Sequence, residues 1–327
     1  MARSVLNTAP LASPWQAMDP FIFAVHHLDN YPAGDGRLGV RMQDRASEGQ
    51  GWRMYHGDHV PGFPAHPHRG FETVTIVLKG HVDHADSMGA AARYGQGDVQ
   101  WLTTGGGVEH GEMFPLLNTD GPNPLELFQI WLNLPPEGKS AKPEFGMFWA
   151  EQIPAIEKAG VKVSVIAGAF EDTRPLSPPS ASWAADEANE LAIWLIDIDQ
   201  CASLTLPVAS GRALRRAYIF EGQATIDGEV QPASHLADLD ATLPSTITNQ
   251  GTEKLRLLVL QARPIKAPVV AHGPFVLNSN EQMIETIKRY QAEGFGQWPW
   301  PSNAQTHGDR GRFIRYPDGS EVLPPES

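Results

Sequence analysis

Gly62-Phe63-Pro64-Ala65-His66-Pro67-His68-Arg69-Gly70-Phe71-Glu72-Thr73-Val74-Thr75-Ile76-Val77-Leu78 sets the reading of this chain. Phe71 to Leu78 is rich in β-branched residues and closes at Lys79-Gly80, where the glycine supplies a turn. In a strand, residues i and i+2 point to one face, so His66 and His68 can aim both imidazoles at one point. Pro67 between them has no N–H for a central ladder and suits an edge strand. Further on, Gly106-Gly107-Val108-Glu109-His110-Gly111-Glu112 repeats the i, i+2 spacing with His110 and Glu112. Two such pairs on adjacent antiparallel strands would set three imidazoles and one carboxylate around a cavity. That donor set binds Fe(II), Mn(II), Co(II), Ni(II), Cu(II) or Zn(II) and leaves positions open for small ligands. The pairs His56/His59 and His81/His84 lack the alternation that aligns two side chains, and carry much less weight.

Working outward, short strand-like runs and turns fill the first half. Gly95-Gln96-Gly97-Asp98 is a turn before Val99-Gln100-Trp101-Leu102, and Thr103-Thr104-Gly105-Gly106-Gly107 allows close backbone approach. Leu125 to Leu134 stops at Pro135-Pro136. Strand signals resume at Val161–Ile166, Leu191–Ile198, Ala217–Phe220, Ala224–Ile226 and Leu255–Leu260. Two blocks of evenly spaced short strands predict an all-β chain of two barrels or sandwiches. One helix is predicted near 280–293, with Ser279 and Gln282 as a capping box and Gly294 as its stop. The expected division is 15–136, 137–298 and a Pro-, Gly- and charge-rich tail over 299–327, extended or poorly ordered.

A chain of 327 residues has room for two hydrophobic cores. Charged residues are only 19%, while Gly (31) and Pro (28) are abundant, a mix that favours turns over long exposed helices. The net charge of −13 repels phosphate backbones and anionic lipid heads, so no direct nucleic-acid or membrane partner is expected. The single cysteine, Cys201, cannot form an intramolecular disulfide and reads as a small buried apolar residue. No apolar run reaches the length of a membrane span, and a soluble cytoplasmic protein is expected.

The run His66-Pro67-His68-Arg69-Gly70-Phe71-Glu72-Thr73-Val74 closely resembles the signature of the pirin family. Further matches are Asp19-Pro20-Phe21, Gly97-Asp98-Val99-Gln100-Trp101, Gly105 to Glu112, and His272 to Glu281, so the resemblance spans roughly residues 15 to 298. It implies two cupin barrels in tandem, of the double-stranded β-helix or jelly-roll kind, with metal in the N-terminal one only. The family's ligand pattern falls on His66, His68, His110 and Glu112, and implies one divalent metal, iron(II) first. Glu72 stands where the general cupin motif has a ligand, and is expected to lie behind the metal ligands or to act as a general base. The second barrel lacks a His-x-His pair; His235 and His272 are its only obvious imidazoles, and it reads as degenerate.

Several bacterial pirins resemble quercetin 2,3-dioxygenases, which implies a small aromatic substrate and dioxygen. In that chemistry a flavonol hydroxyl loses its proton and ring cleavage releases carbon monoxide. Glu112 would take the proton, with Glu72 in reserve. Phe71, Trp101 and Met113 are candidate pocket walls. The competing reading is an iron-dependent redox-sensing regulator without turnover, acting through a protein partner on an acidic face that includes Glu109 and Asp98. A third is a metal-binding barrel with some other small substrate.

Overall fold

The computed structural model describes residues 3–326. They form two compact β units, each drawing on separate stretches of chain. One combines the chain up to Phe23 with Gln152–Lys266, and the other combines Ala24–Glu151 with the chain from Ala267 onward. A linear division at residues 136 and 298 does not describe this exchange, because it depends on contacts between distant segments.

The unit holding both histidine motifs has two main sheets. One runs in the order Glu144–Phe148, Val99–Thr103, Phe71–Lys79, Asn123–Asn133, Phe21–Tyr31. The other runs Glu321–Val322, Phe313–Arg315, Ala91–Gly95, His81–Asp86, Val108–Met113, Gly62–His68. Gly62–His68 is therefore an edge strand, as Pro67 requires. The core includes Tyr31, Val77, Val82, Tyr94, Leu102 and Leu127. Its membership fixes the inward faces. Val77 is in the core, so Thr75, Thr73 and Phe71 turn inward while Glu72, Val74 and Ile76 turn outward.

The turn between Gly62–His68 and Phe71–Lys79 is tightly held. Gly70 has φ +87°, and a Cβ there would meet the Val276 carbonyl oxygen at 2.0 Å. Lys139, 3% exposed, donates to the carbonyls of Gly70 at 2.7 Å and Val276 at 3.1 Å, and to Asn133 Oδ1. Burial pulls this ammonium down to about 8. The predicted helix is Asn280–Glu293. Ser279 Oγ caps it by accepting from the Gln282 N–H at 3.2 Å, while Gln282 reaches back to the Asn278 N–H, one residue beyond an ideal capping box. Gly294 ends it with φ +66°.

Part of the region expected as a tail is strand. Phe313–Arg315 pairs with Ala91–Gly95 and covers that edge. Arg93, fully buried with Asp83 at 2.6 Å, also donates to the Gly308 and Arg310 carbonyls. These contacts come from a three-residue strand and the turn before it, too short to carry a periodic signal.

The other unit has a seven-stranded sheet in the order Val5–Pro10, His235–Leu239, Leu214–Glu221, Leu255–Ala262, Ala192–Ile198, Val161–Ala167, Ala155–Lys158. A four-stranded sheet runs Ser203–Leu206, Ser245–Thr248, Ala224–Ile226, Glu229–Gln231. Alternate residues build its core, among them Val163, Ile196, Ala217, Ile219, Leu257 and Val259. Cys201 is not buried as expected: it is exposed, in a turn with φ +62° rather than in the neighbouring strand. Among the described residues no helix is long and apolar enough to cross a membrane.

Candidate metal centre

The two motif strands pair antiparallel, and their register sets His66 opposite His110. An irregularity between Phe63 and His66 re-aims the edge strand just before the histidines. The ring centroids of His66 and His110 are 4.5 Å apart, and those of His68 and His110 are 4.9 Å apart. His66 Nε2 lies 3.1 Å from His68 Nε2. One nitrogen from each of His66, His68 and His110 falls within 4.8 Å of the others. The Glu112 carboxylate lies beside them, with Oε2 3.8 Å from His110 Nε2.

The surroundings keep these imidazoles neutral. Burial pushes His68 and His110 well below the usual imidazole range, and the mutual proximity of the histidines pushes the same way. His66 is lowered too, chiefly by burial, with Glu112 opposing. Neutral imidazoles offer lone pairs, as metal binding requires. The His66 Nδ1–H donates to the Pro64 carbonyl at 2.8 Å, which turns Nε2 toward the cluster. His110 is fully buried, yet among the described residues neither of its ring nitrogens has a hydrogen-bond partner. Buried polar groups are nearly always paired, so a donor aimed at converging donors fits a metal ion.

Glu112, 2% exposed, is held from both sides. Thr75 Oγ1 donates to Oε1 at 3.3 Å and Gln129 Nε2 donates to Oε2 at 2.8 Å. Both donors stand on inward positions of their strands. The sequence reading missed them, although two-residue alternation from Val77 and Leu127 would have found them. Aromatic walls stand beside His68: Phe71 at 5.0 Å and Trp131 at 5.3 Å, with 4.4 Å between Phe71 and Trp131. Phe63 lies 6.3 Å from His66. His84, dismissed with His81 as a chance spacing, is fully buried 5.5 Å from His110, with Nε2 3.1 Å from Asp86 Oδ2.

Several sequence candidates lie elsewhere. Glu72 is buried on the opposite face of its strand from Thr75, and Thr103 Oγ1 donates to it at 2.6 Å. Trp101 shares that outward face, because it is the register partner of Val74. Met113 is one residue past Glu112 and therefore points away, packing with Leu38 and Val60. Of the three candidate walls only Phe71 adjoins the histidines. Asp98 offers no surface to a partner, being fully buried and bonded to the N–H groups of Gly95 and Ala150 and to Arg312. His272 is exposed, and His235 bonds the nearby Ala233 carbonyl through Nδ1 at 3.0 Å.

The sequence profile of the Pirin family matches residues 3–132, and that of the Pirin C-terminal cupin domain matches residues 193–296. The chain belongs to the pirin family. It is 35% identical to a provisionally named quercetin 2,3-dioxygenase of Pseudomonas aeruginosa over 72% of this chain and 80% of that protein. It is 32% identical to the pirin of Rattus norvegicus over 76% of this chain and 83% of that one. Its fold matches the crystal structure of a quercetin 2,3-dioxygenase from Acinetobacter baumannii with a TM-score of 0.72 and 25% identity, covering 91% of this chain and 99% of that one. The described residues form two cupin domains of mostly strands, with the one short α-helix Asn280–Glu293.

Proposed function

We propose that this pirin is a metal-dependent dioxygenase that cleaves flavonols such as quercetin with dioxygen and releases carbon monoxide. The observation that carries the reading is the convergence of His66, His68 and His110 beside the buried carboxylate of Glu112, with Phe71 and Trp131 as aromatic walls. The same reading is favoured by relatives named for that activity. His66, His68, His110 and Glu112 would hold the metal, read as iron(II), which supplies Lewis-acid polarisation and one-electron chemistry toward dioxygen.

The chain's own residues do the rest. Glu112 accepts the flavonol hydroxyl proton at a carboxylate oxygen. Thr75 and Gln129 each take one lone pair of that carboxylate and leave others open, since a carboxylate offers about four. The two donors fix its plane. Phe71 and Trp131 orient a flat ring by stacking or edge contacts. Glu72 has no part in proton transfer, because its strand turns it away.

The test is to load the metal-free protein anaerobically with Fe(II), add quercetin and air, and follow flavonol absorbance together with carbon monoxide. Iron-dependent loss with carbon monoxide is expected, and none with His66→Ala/His110→Ala. Iron bound at one per chain with no turnover sinks the reading.

A further inference from the structure

The inward face of the Gln152–Lys266 unit is mostly apolar, and among the described residues its one buried charge is Arg215. Arg215 stands in line with Ala217 and Ile219 on the core side of Leu214–Glu221, and is 2% exposed. Its register partner Gln261 accepts from Nε at 2.8 Å and also from Nη2, and Nη2 donates to the Pro207 carbonyl at 2.6 Å. Nη1 is buried and has no hydrogen-bond partner among the described residues. The nearby carboxylate of Glu190 is occupied by the N–H and Oγ of Ser210. A guanidinium buried with no carboxylate in contact is costly unless something pairs it. Burial pulls Arg215 down to about 10, and Glu190 and Asp240 only partly oppose that.

A cavity of 610 Å³ opens beside this cation, within the usual range for small-ligand pockets. Its inner wall includes Arg215, Gln261, Trp194, Ala192, Leu191 and Pro207. Ala192 is the register partner of Gln261, and its short side chain leaves space next to the indole of Trp194. That indole N–H is spent on the Gly168 carbonyl at 3.1 Å, so Trp194 offers the cavity an apolar surface. The cavity's other arginine, Arg174, is exposed and paired with Glu187. Glu171 and Asp186 are also exposed, at the rim. Glu190 also lines the cavity, half-buried with its carboxylate bonded to Ser210, while the other carboxylates lie at the exposed rim. One anionic group can reach Arg215, whereas a dianion would meet the acidic rim.

We infer that this cavity binds a small organic monocarboxylate, its carboxylate on Arg215 Nη1 and its apolar body against Trp194 and Pro207. The inference is independent of the dioxygenase reading, since it uses no residue of the histidine cluster.

Calorimetric titration of the full chain with benzoate tests it. Saturable binding with a Kd of about 1 mM or tighter is expected. Benzamide, neutral and of the same shape, binds at least about tenfold more weakly. Arg215→Met keeps the volume, removes the charge and lowers benzoate affinity by at least about tenfold, while binding at any metal centre is untouched. If Arg215→Met does not fold, Val208→Glu decides. Val208 lines the cavity and is 61% exposed, so the substitution is tolerated. The added charge weakens benzoate several-fold and leaves benzamide unchanged. Equal affinities for benzoate and benzamide overturn the proposal. So does benzoate affinity unmoved by either substitution, no saturation by about 10 mM, or inorganic phosphate binding more tightly than benzoate.

Discussion

The two units close similar sheets over opposite kinds of interior. In one, inward positions carry His66, His68, His110, Glu112, Thr75 and Gln129, all buried or nearly so. In the other, the equivalent alternation carries Val163, Ile196, Ile198, Ala217, Ile219 and Leu257, and Arg215 is the exception. Each buried aliphatic side chain contributes about 1.5–3 kcal/mol. Each buried imidazole or carboxylate must instead find a partner to offset its lost hydration. The aliphatic interior is therefore stable without help, while the histidine interior is poised for a ligand. The same fold carries a histidine cluster beside its core in one unit and, among the described residues, none in the other, and the inward residues decide which.

The sharpest way to break that comparison is to substitute two buried glutamates, Glu112 and Glu72, one at a time. Glu112→Gln is expected to lower flavonol turnover about 10²–10⁴-fold, the usual loss of a general base. Glu72→Gln should leave turnover within about twofold, since that carboxylate faces the other way. Initial rates at matched iron content separate the two, and equal losses would return Glu72 to the site.

Next in size is Ile219→Ala in the aliphatic interior. It should destabilise that unit by about 2–5 kcal/mol in urea unfolding. Metal stoichiometry should not change. Metal lost in step with stability would show that the two interiors are not independent.

Gln129→Ala removes a donor to Glu112 without touching a proposed ligand. Metal affinity or turnover should fall about 10–100-fold, the usual cost of losing a group that orients a ligand. A competition titration against a chelator measures it.

The smallest effect concerns acid. Burial first, then neighbouring His26 and Arg53, bring His27 from 6.5 to about 4. The fold thus prefers neutral His27, whose Nδ1–H donates to Tyr55 Oη at 2.8 Å. The unfolded chain takes up a proton below about 6.5, but the folded chain waits until about 4. This stability is present above pH 6.5 and is lost as pH falls from 6.5 toward 4. It is on the order of 2 kcal/mol after allowing for partial exposure. Unfolding midpoints of His66→Ala/His110→Ala with and without His27→Phe should converge toward pH 4.

What was legible in the sequence followed the two-residue period. His66 with His68, and His110 with Glu112, sit within single strands, so counting by two puts each pair on one face. Glu72 shows where counting fails. It lies four residues after His68, an even step that would share the face in a continuous strand. Gly70 breaks the strand with φ +87° and resets the alternation. Trp101 takes its face from its pairing with Val74, a long-range register that local sequence does not carry. Met113 was legible, because an odd step from Glu112 already turns it outward. Arg215 lies just before the expected strand Ala217–Phe220, and only the structure reveals that the strand starts earlier and buries its charge.

The strand Phe313–Arg315 has a consequence for the order of events in synthesis. It covers the free edge of Ala91–Gly95, and the chain beside it satisfies the buried Arg93. A ribosome delivers this segment more than 200 residues after that edge, or roughly 10–40 s later at about 5–20 residues per second. For that interval the nascent unit presents an open ladder, a template for pairing with other chains. Truncation before Phe313 would prolong that exposure indefinitely, so the shortened chain should show its defect first as aggregation during expression.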